Sequence, residues 1–214
     1  MSGSSYFNGI AIGIKTRWRP ARFTHPRSLM AGFPDLRQAA RRSVFSGSCA
    51  SVGSAIALGL RGRAEEGSAA GPLNGPSQWL WGEDEAHTRE LTLRHTAVGY
   101  AIHHLSANWW AVLYEAVSGT EGTRKPTARI LAEAAGVTAF AFAVDYGLTP
   151  RRLQPGFEKH VSPSSVALGY AAFAMGLAAS TLLRRAAQRR RMALPRGKLG
   201  SISSRVGDRP PHRF

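Results

Sequence analysis

The chain has 214 residues, with 28 Lys or Arg against 13 Asp or Glu, a formal net charge of +15 and 43% hydrophobic residues. One cysteine, Cys49, excludes an intramolecular disulfide framework and a Cys-based zinc module. The hydrophobic share excludes a chain that is disordered throughout, and the length allows one domain or two.

Averaged over the chain, the charge and a mean hydropathy of −0.18 suggest a soluble basic protein, such as a nucleic-acid binder. The distribution along the chain suggests something else. Residues 1–29 carry Arg17, Arg19, Arg22 and Arg27, no acid, and one short apolar run, Gly9 to Ile14. That run is too short for a signal-peptide core. The expectation for 1–42 is a basic and largely disordered segment; a true start at Met30 is the other reading. From Pro34 to Arg42 a short amphipathic stretch leads into the first apolar run.

Four apolar runs follow. Residues 43–60 hold no charge and lie between Arg41-Arg42 and Arg61. Residues 96–117 hold one acid, Glu115. The third run, centred on 130–144, contains only Glu133 and reaches spanning length as about 129–148. Residues 166–183 hold no charge and are followed by Arg184 and Arg185. A helix rises about 1.5 Å per residue, so about 20 residues cross a hydrocarbon core. Amphipathic helices of a soluble bundle carry a charged stripe that these runs lack. Small residues line two of them: Gly47, Ser51 and Ser54 with Leu58 in the first, and Gly169, Ala172, Gly176 and Ala179 in the fourth. Such stripes suit close helix packing in lipid.

Between the first two runs, Gly75-Pro76 marks a turn, and Trp79 and Trp81 have the amphipathic rings that favour the headgroup layer. An interfacial anchor is the expected role, with a ligand-binding lid as the alternative. In the second run, steps of about 100° per residue place Tyr100, His104, Asn108 and Glu115 on one polar stripe. Val98, Ile102, Leu105, Trp109 and Leu113 lie opposite, and His103 lies off the stripe. Polar residues within a span face the bundle interior. The stripe reads either as an interhelix hydrogen-bond set or as a proton or ion path, with Glu133 as partner to His104. Adjacent histidines point about 100° apart on a helix, so His95, His103 and His104 make a poor metal or haem set. No metal or cofactor is expected. After the third run, Asp145, Gly147 and Pro150 stop the helix.

Four spans put 21 of the 28 basic residues on one side and 7 on the other. The positive-inside rule then makes both termini cytoplasmic. The loop 61–95 carries six acids and falls on the opposite side. Arg184, Arg185, Arg189, Arg190 and Arg191 form a juxtamembrane polybasic segment, suited to anionic headgroups. The tail 186–214 is expected to be disordered. No phosphate-binding loop, dinucleotide fingerprint, zinc-protease motif or nucleophile elbow is present.

The run NGPSQWLWG (Asn74 to Gly82), then LRHTAVGY (Leu93 to Tyr100) and HHLSANWWAVLYE (His103 to Glu115), resembles a set of small uncharacterised bacterial membrane proteins. More distantly the layout resembles the YagU-like inner-membrane proteins, including the step Gly147-Leu148-Thr149-Pro150 after the third run. The resemblance covers about residues 43–185 and implies a polytopic inner-membrane protein. The expectation is therefore an all-α integral membrane four-helix bundle with disordered basic termini. It would have no enzymatic role, act as an accessory or stress-related component, partner the lipid bilayer, with a homo-oligomer as the further partner expectation, and bind no nucleic acid. A small proton- or ion-coupled transporter using the stripe is the second reading. A soluble nucleic-acid binder is the third.

Overall fold

A computed structural model describes residues 35–193, and all regular structure within them is helical. Expectations for the segment before Asp35 and for the tail beyond Ala193 lie outside the described residues. Four long helices dominate: α1 (Leu36–Glu66), α4 (Val98–Ser118), α5 (Thr127–Gly147) and α6 (Pro163–Ala193). Two single-turn helices, α2 (Gly71–Asn74) and α3 (Gln78–Trp81), lie in the α1–α4 connection.

The boundaries follow from local chemistry. Asp35 caps α1 by accepting a hydrogen bond from the Gln38 amide at 3.1 Å, and Gly67, at φ 80°, ends it. Before α4, Thr92 accepts from the His95 amide at 3.1 Å and opens a wide π-helical turn, Leu93–Ala97. Pro126 precedes α5 and Pro163 begins α6, where a missing amide proton costs nothing. The expected runs lie on these helices. The first and fourth helices continue past their apolar runs, so residues 36–42 and 186–193 are helical rather than disordered.

Helix α1 packs against α4 on one side and α6 on the other, and α5 closes against α4 and α6. Small residues permit this. A methyl group built on Gly47 would lie 2.7 Å from Asn108 Cα, and one built on Gly176 would lie 2.5 Å from Ala50 Cα. Both distances are below any real carbon–carbon contact, so each glycine is what lets two backbones approach. The core between the helices holds Ala107, Ala111, Tyr114, Ile130, Ala134, Phe173 and Leu177. Full burial of a side chain such as Leu177 contributes about 2 kcal/mol. Tyr114 is fully buried, and its hydroxyl lies 2.9 Å from Thr181 Oγ1.

Three helices, α1, α5 and α6, are long and apolar enough to cross a membrane. The second expected span, now α4, is not among them. Its two histidines, Asn108 and Glu115 lower its hydropathy. Its neighbours α1, α5 and α6 bury much of that polarity.

Candidate functional site

The four long helices have two ends of different chemistry. At one end the start of α1, the end of α4, the start of α5 and the late part of α6 meet. There Arg42 donates to the Gly119 carbonyl at 3.1 Å. Arg184 donates to Glu115 at 2.6 Å and to Thr181 Oγ1 at 3.0 Å. Arg185 donates to the Thr123 carbonyl at 2.8 Å, to Thr127 Oγ1 and to the Lys125 carbonyl, fastening the α4–α5 turn. Glu133 is held by Lys125 at 2.6 Å, Arg129 at 3.0 Å and Ser118 at 3.2 Å.

These contacts revise two expectations. Glu133 is not the partner of His104. Its contact Ser118 lies 14 residues along α4 from His104, about 21 Å at helical rise. Arg184 and Arg185 point inward to a carboxylate and to backbone carbonyls. Of the five arginines assigned to headgroups, only Arg189, Arg190 and Arg191 are exposed.

Of the polar stripe on α4, Glu115 is buried, and the other members are displaced from the line of deepest burial. That line runs through Gly99, His103, Ala107, Ala111 and Tyr114. His103, expected off the stripe, is the buried histidine: its Nε2 lies 3.1 Å from Ser54 Oγ and 3.3 Å from the Ser51 carbonyl. Tyr100, His104 and Asn108 are half-buried on its flank. The Tyr100 and His104 rings lie 5.9 Å apart, Asn108 donates to the His104 carbonyl at 2.8 Å, and His104 Nδ1 has no hydrogen-bond partner among the described residues. Gly47 of α1 seats against Asn108, and Gly99 seats against the Leu73 carbonyl of the 67–97 connection, so these close backbone approaches decide which face of α4 is covered.

The other end carries a polar cap. The 67–97 connection folds onto the 148–162 connection instead of projecting as a free loop. The backbones of Gly75 and Gly156 meet so closely that a methyl group on Gly75 would lie 2.6 Å from the Gly156 carbonyl oxygen. Gly156 has φ 80°, where other residues are strained. Asn74 and Gln78 are fully buried. Asn74 donates to the Thr88 carbonyl at 2.7 Å and the Glu90 carbonyl at 3.0 Å, and accepts from Thr96 at 2.7 Å. Gln78 donates to the Gln154 carbonyl at 2.6 Å and accepts from Lys159 at 2.8 Å. His160 Nδ1 lies 2.7 Å from Glu66, and its Nε2 lies 2.6 Å from the Ala86 carbonyl. Arg89 lies 3.0 Å from the same Glu66 carboxylate. Glu65 accepts from the Ser162 amide and from Ser165 and is paired with Arg61. The NGPSQWLWG run is therefore chiefly the framework of this cap. Trp79 and Trp81 lie at its half-exposed margin, donating at 3.3 Å to the carbonyls of Gln154 and Arg94. The Arg94 guanidinium also sits 4.9 Å above the Trp81 ring.

Beneath the cap is a cavity of about 450 Å³, between α4, α5 and α6 with Ser54 and Leu58 of α1 at its back. Its walls are mostly apolar and include six aromatic residues: Trp79, Trp109, Trp110, Phe157, Tyr170 and Phe173. His103 contacts it and meets the Phe157 ring edge-on at 5.5 Å. Exposed Leu105, Trp109 and Leu153 form its rim. Asp145 contributes the one carboxylate of the lining, and it accepts from the Tyr170 hydroxyl at 2.7 Å. Sequence reasoning treated Asp145 only as a helix stop and left Ser54 and Tyr170 in packing stripes or unassigned. Nothing local marks them, since their role arises from three helices meeting. Among the described residues no group of three or more His, Cys, Asp or Glu is placed to hold a metal. His95 instead lies 2.9 Å from Glu85 and 3.0 Å from Thr92 Oγ1. No family model, no curated protein and no solved structure matches this chain.

Proposed function

We propose that the chain is a multi-pass membrane protein, a four-helix bundle in which α1, α4, α5 and α6 cross the bilayer with both termini cytoplasmic. It serves as a non-enzymatic binding or accessory component of a bacterial inner membrane. The observation that carries this reading is the apolar outer face of the helices. Val44, Ile56, Leu60, Leu105, Trp109, Phe140 and Met175 are all exposed, whereas soluble monomers seldom expose large contiguous apolar patches. Helix α4 is accommodated because its acid is paired with Arg184 and its buried histidine with Ser54. The basic end supports the orientation, and exposed Arg189, Arg190 and Arg191 suit anionic headgroups. The resemblance to inner-membrane proteins supports the compartment.

The transport reading has less support. Glu115 and Glu133 lie at the basic end, each with a cation, and the Ala107–Ala111–Tyr114–Leu177 layer separates them from the histidines. The nucleic-acid reading loses Arg184 and Arg185, which are engaged within the protein.

Two measurements test the proposal. The chain should resist alkaline carbonate extraction of membranes; release into the supernatant removes the membrane reading. In a Cys49→Ser background, an impermeant thiol reagent outside the cell should label Asp84→Cys and spare Glu121→Cys. The reverse pattern inverts the orientation.

A further inference from the structure

The acids of the helical core fall into two groups. Glu65, Glu66, Glu85, Glu115 and Glu133 each have an Arg, Lys or His nitrogen within ion-pair distance. Asp145 has none among the described residues. Its resolved hydrogen bond is from the neutral Tyr170 hydroxyl, and Trp110 flanks it in the cavity wall. A further acid nearby, Glu158, accepts from a tyrosine, Tyr146, at 3.1 Å and has no ion pair among the described residues. The neighbourhood therefore has negative charge, four π-faces close together and, among the described residues, no counter-ion. Phe142, Tyr146 and Tyr170 cluster beside it in tilted and edge-to-face arrangements, with centroids 5.0 to 6.1 Å apart.

An apolar cavity would be lined more cheaply by a neutral residue than by a carboxylate, because the buried charge loses hydration. Aromatic faces attract cations, and more strongly where water is excluded. A volume of about 450 Å³ is that of a small-molecule pocket. On its rim, Leu105 and Trp109 lie on the apolar outer face of α4, and Leu153 comes from the edge of the cap.

We propose that this cavity is a binding site for an amphiphilic aromatic cation, which enters sideways through the Leu105–Trp109 rim and places its positive charge against Asp145. Ring stacking on Trp110, Phe173 and Tyr170 supplies the affinity, and the carboxylate supplies the choice of sign. The route of entry rests on the membrane reading; the binding itself does not, so the two fail separately.

The test uses the full chain purified in a neutral detergent, with equilibrium dialysis against empty micelles as the blank. The probes are tetraphenylphosphonium and tetraphenylborate, which share a shape and differ in sign. Saturable binding of the cation without saturable binding of the anion is expected. Asp145→Asn should weaken the cation at least tenfold, and Trp110→Leu severalfold. Glu158→Gln, at the exposed acid outside the lining, should change it less than twofold. Equal binding of both ions, no saturable cation binding, or an unchanged affinity in folded Asp145→Asn overturns the proposal. A co-purifying neutral lipid that the cation does not displace also overturns it. If Asp145→Asn does not fold, the comparison of the two probes on the native protein still decides. Membrane extraction is scored separately, so a soluble protein that binds the cation would sink the topology and leave the site.

Discussion

The two ends of the helices both bury polar groups, in different mixtures of contact. At the basic end, charge meets charge: Arg184 with Glu115, Lys125 and Arg129 with Glu133, and Arg185 with carbonyls of the α4–α5 turn. At the capped end, ion pairs also occur, Glu66 with Arg89 and Glu65 with Arg61, but the deepest polar groups are neutral amides, Asn74 and Gln78, tied to backbone carbonyls, and one cavity carboxylate is left with hydroxyl and indole neighbours. The contrast separates structure from site. A matched pair holds helices together and has little left to offer a ligand. An acid with no cation, in an aromatic cavity, is the group whose removal should affect binding more than folding.

The largest effect should come from breaking a matched pair. Glu115→Ala leaves Arg184 partly buried without its partner, at a cost of about 3–5 kcal/mol. Equilibrium unfolding in mixed micelles would measure it. Adding Arg184→Met should recover much of the loss, and an equal loss in the double variant would show that the pair is not what matters there. At the capped end, Asn74→Ala leaves two carbonyls and the Thr96 hydroxyl without their donor or acceptor, a cost of about 1–3 kcal/mol. The loss should be local, seen as faster amide exchange and proteolysis in residues 82–97 with the helices still protected. Uniform loss of protection would mean that the cap and helices unfold as one unit.

Smaller effects refine the contrast. Ser54→Ala removes the hydroxyl beside His103 and should cost about 1 kcal/mol or less, since interhelical bonds of this kind are weak. A loss above about 3 kcal/mol would mean that His103 becomes a buried polar group without a partner. The least effect on stability belongs to replacing Arg189, Arg190 and Arg191 together by Gln, within about 0.5 kcal/mol, because all three are exposed. Binding to anionic vesicles should fall nonetheless, by about 1 kcal/mol per residue removed. Vesicle flotation at low and high salt would show it, and an unchanged profile would assign the headgroup contact elsewhere.

Much of the helical layout was legible in one dimension. Four runs nearly free of charge, bounded by Arg41-Arg42, Gly67, Pro126, Gly147 and Pro163, mark four helices, because caps and breakers act on neighbours in the chain. The stripe on α4 was legible only in part. Angular spacing correctly groups Tyr100, His104 and Asn108, yet it does not say which face α1 will cover. His103 took the buried place because Ser51 and Ser54 of α1 and the Phe157 ring meet it there, partners distant in the chain. The assignment of Glu133 to His104 failed for a related reason. Lys125 and Arg129, eight and four residues before Glu133 in the chain, reach it first.

What the sequence determined by itself is the secondary structure, the length of the apolar runs and the uneven placement of basic charge, all of which depend on residues near one another in the chain. What tertiary structure decided is which charges are matched and which are not. Arg184 meets Glu115 across 69 residues, Lys159 meets Gln78 across 81, and Asp145 meets no cation at all among the described residues. The net charge of +15 carries no information about those meetings, because a Coulomb or hydrogen-bond contact depends on distance in space, and only the packing of α1, α4, α5 and α6 sets that distance.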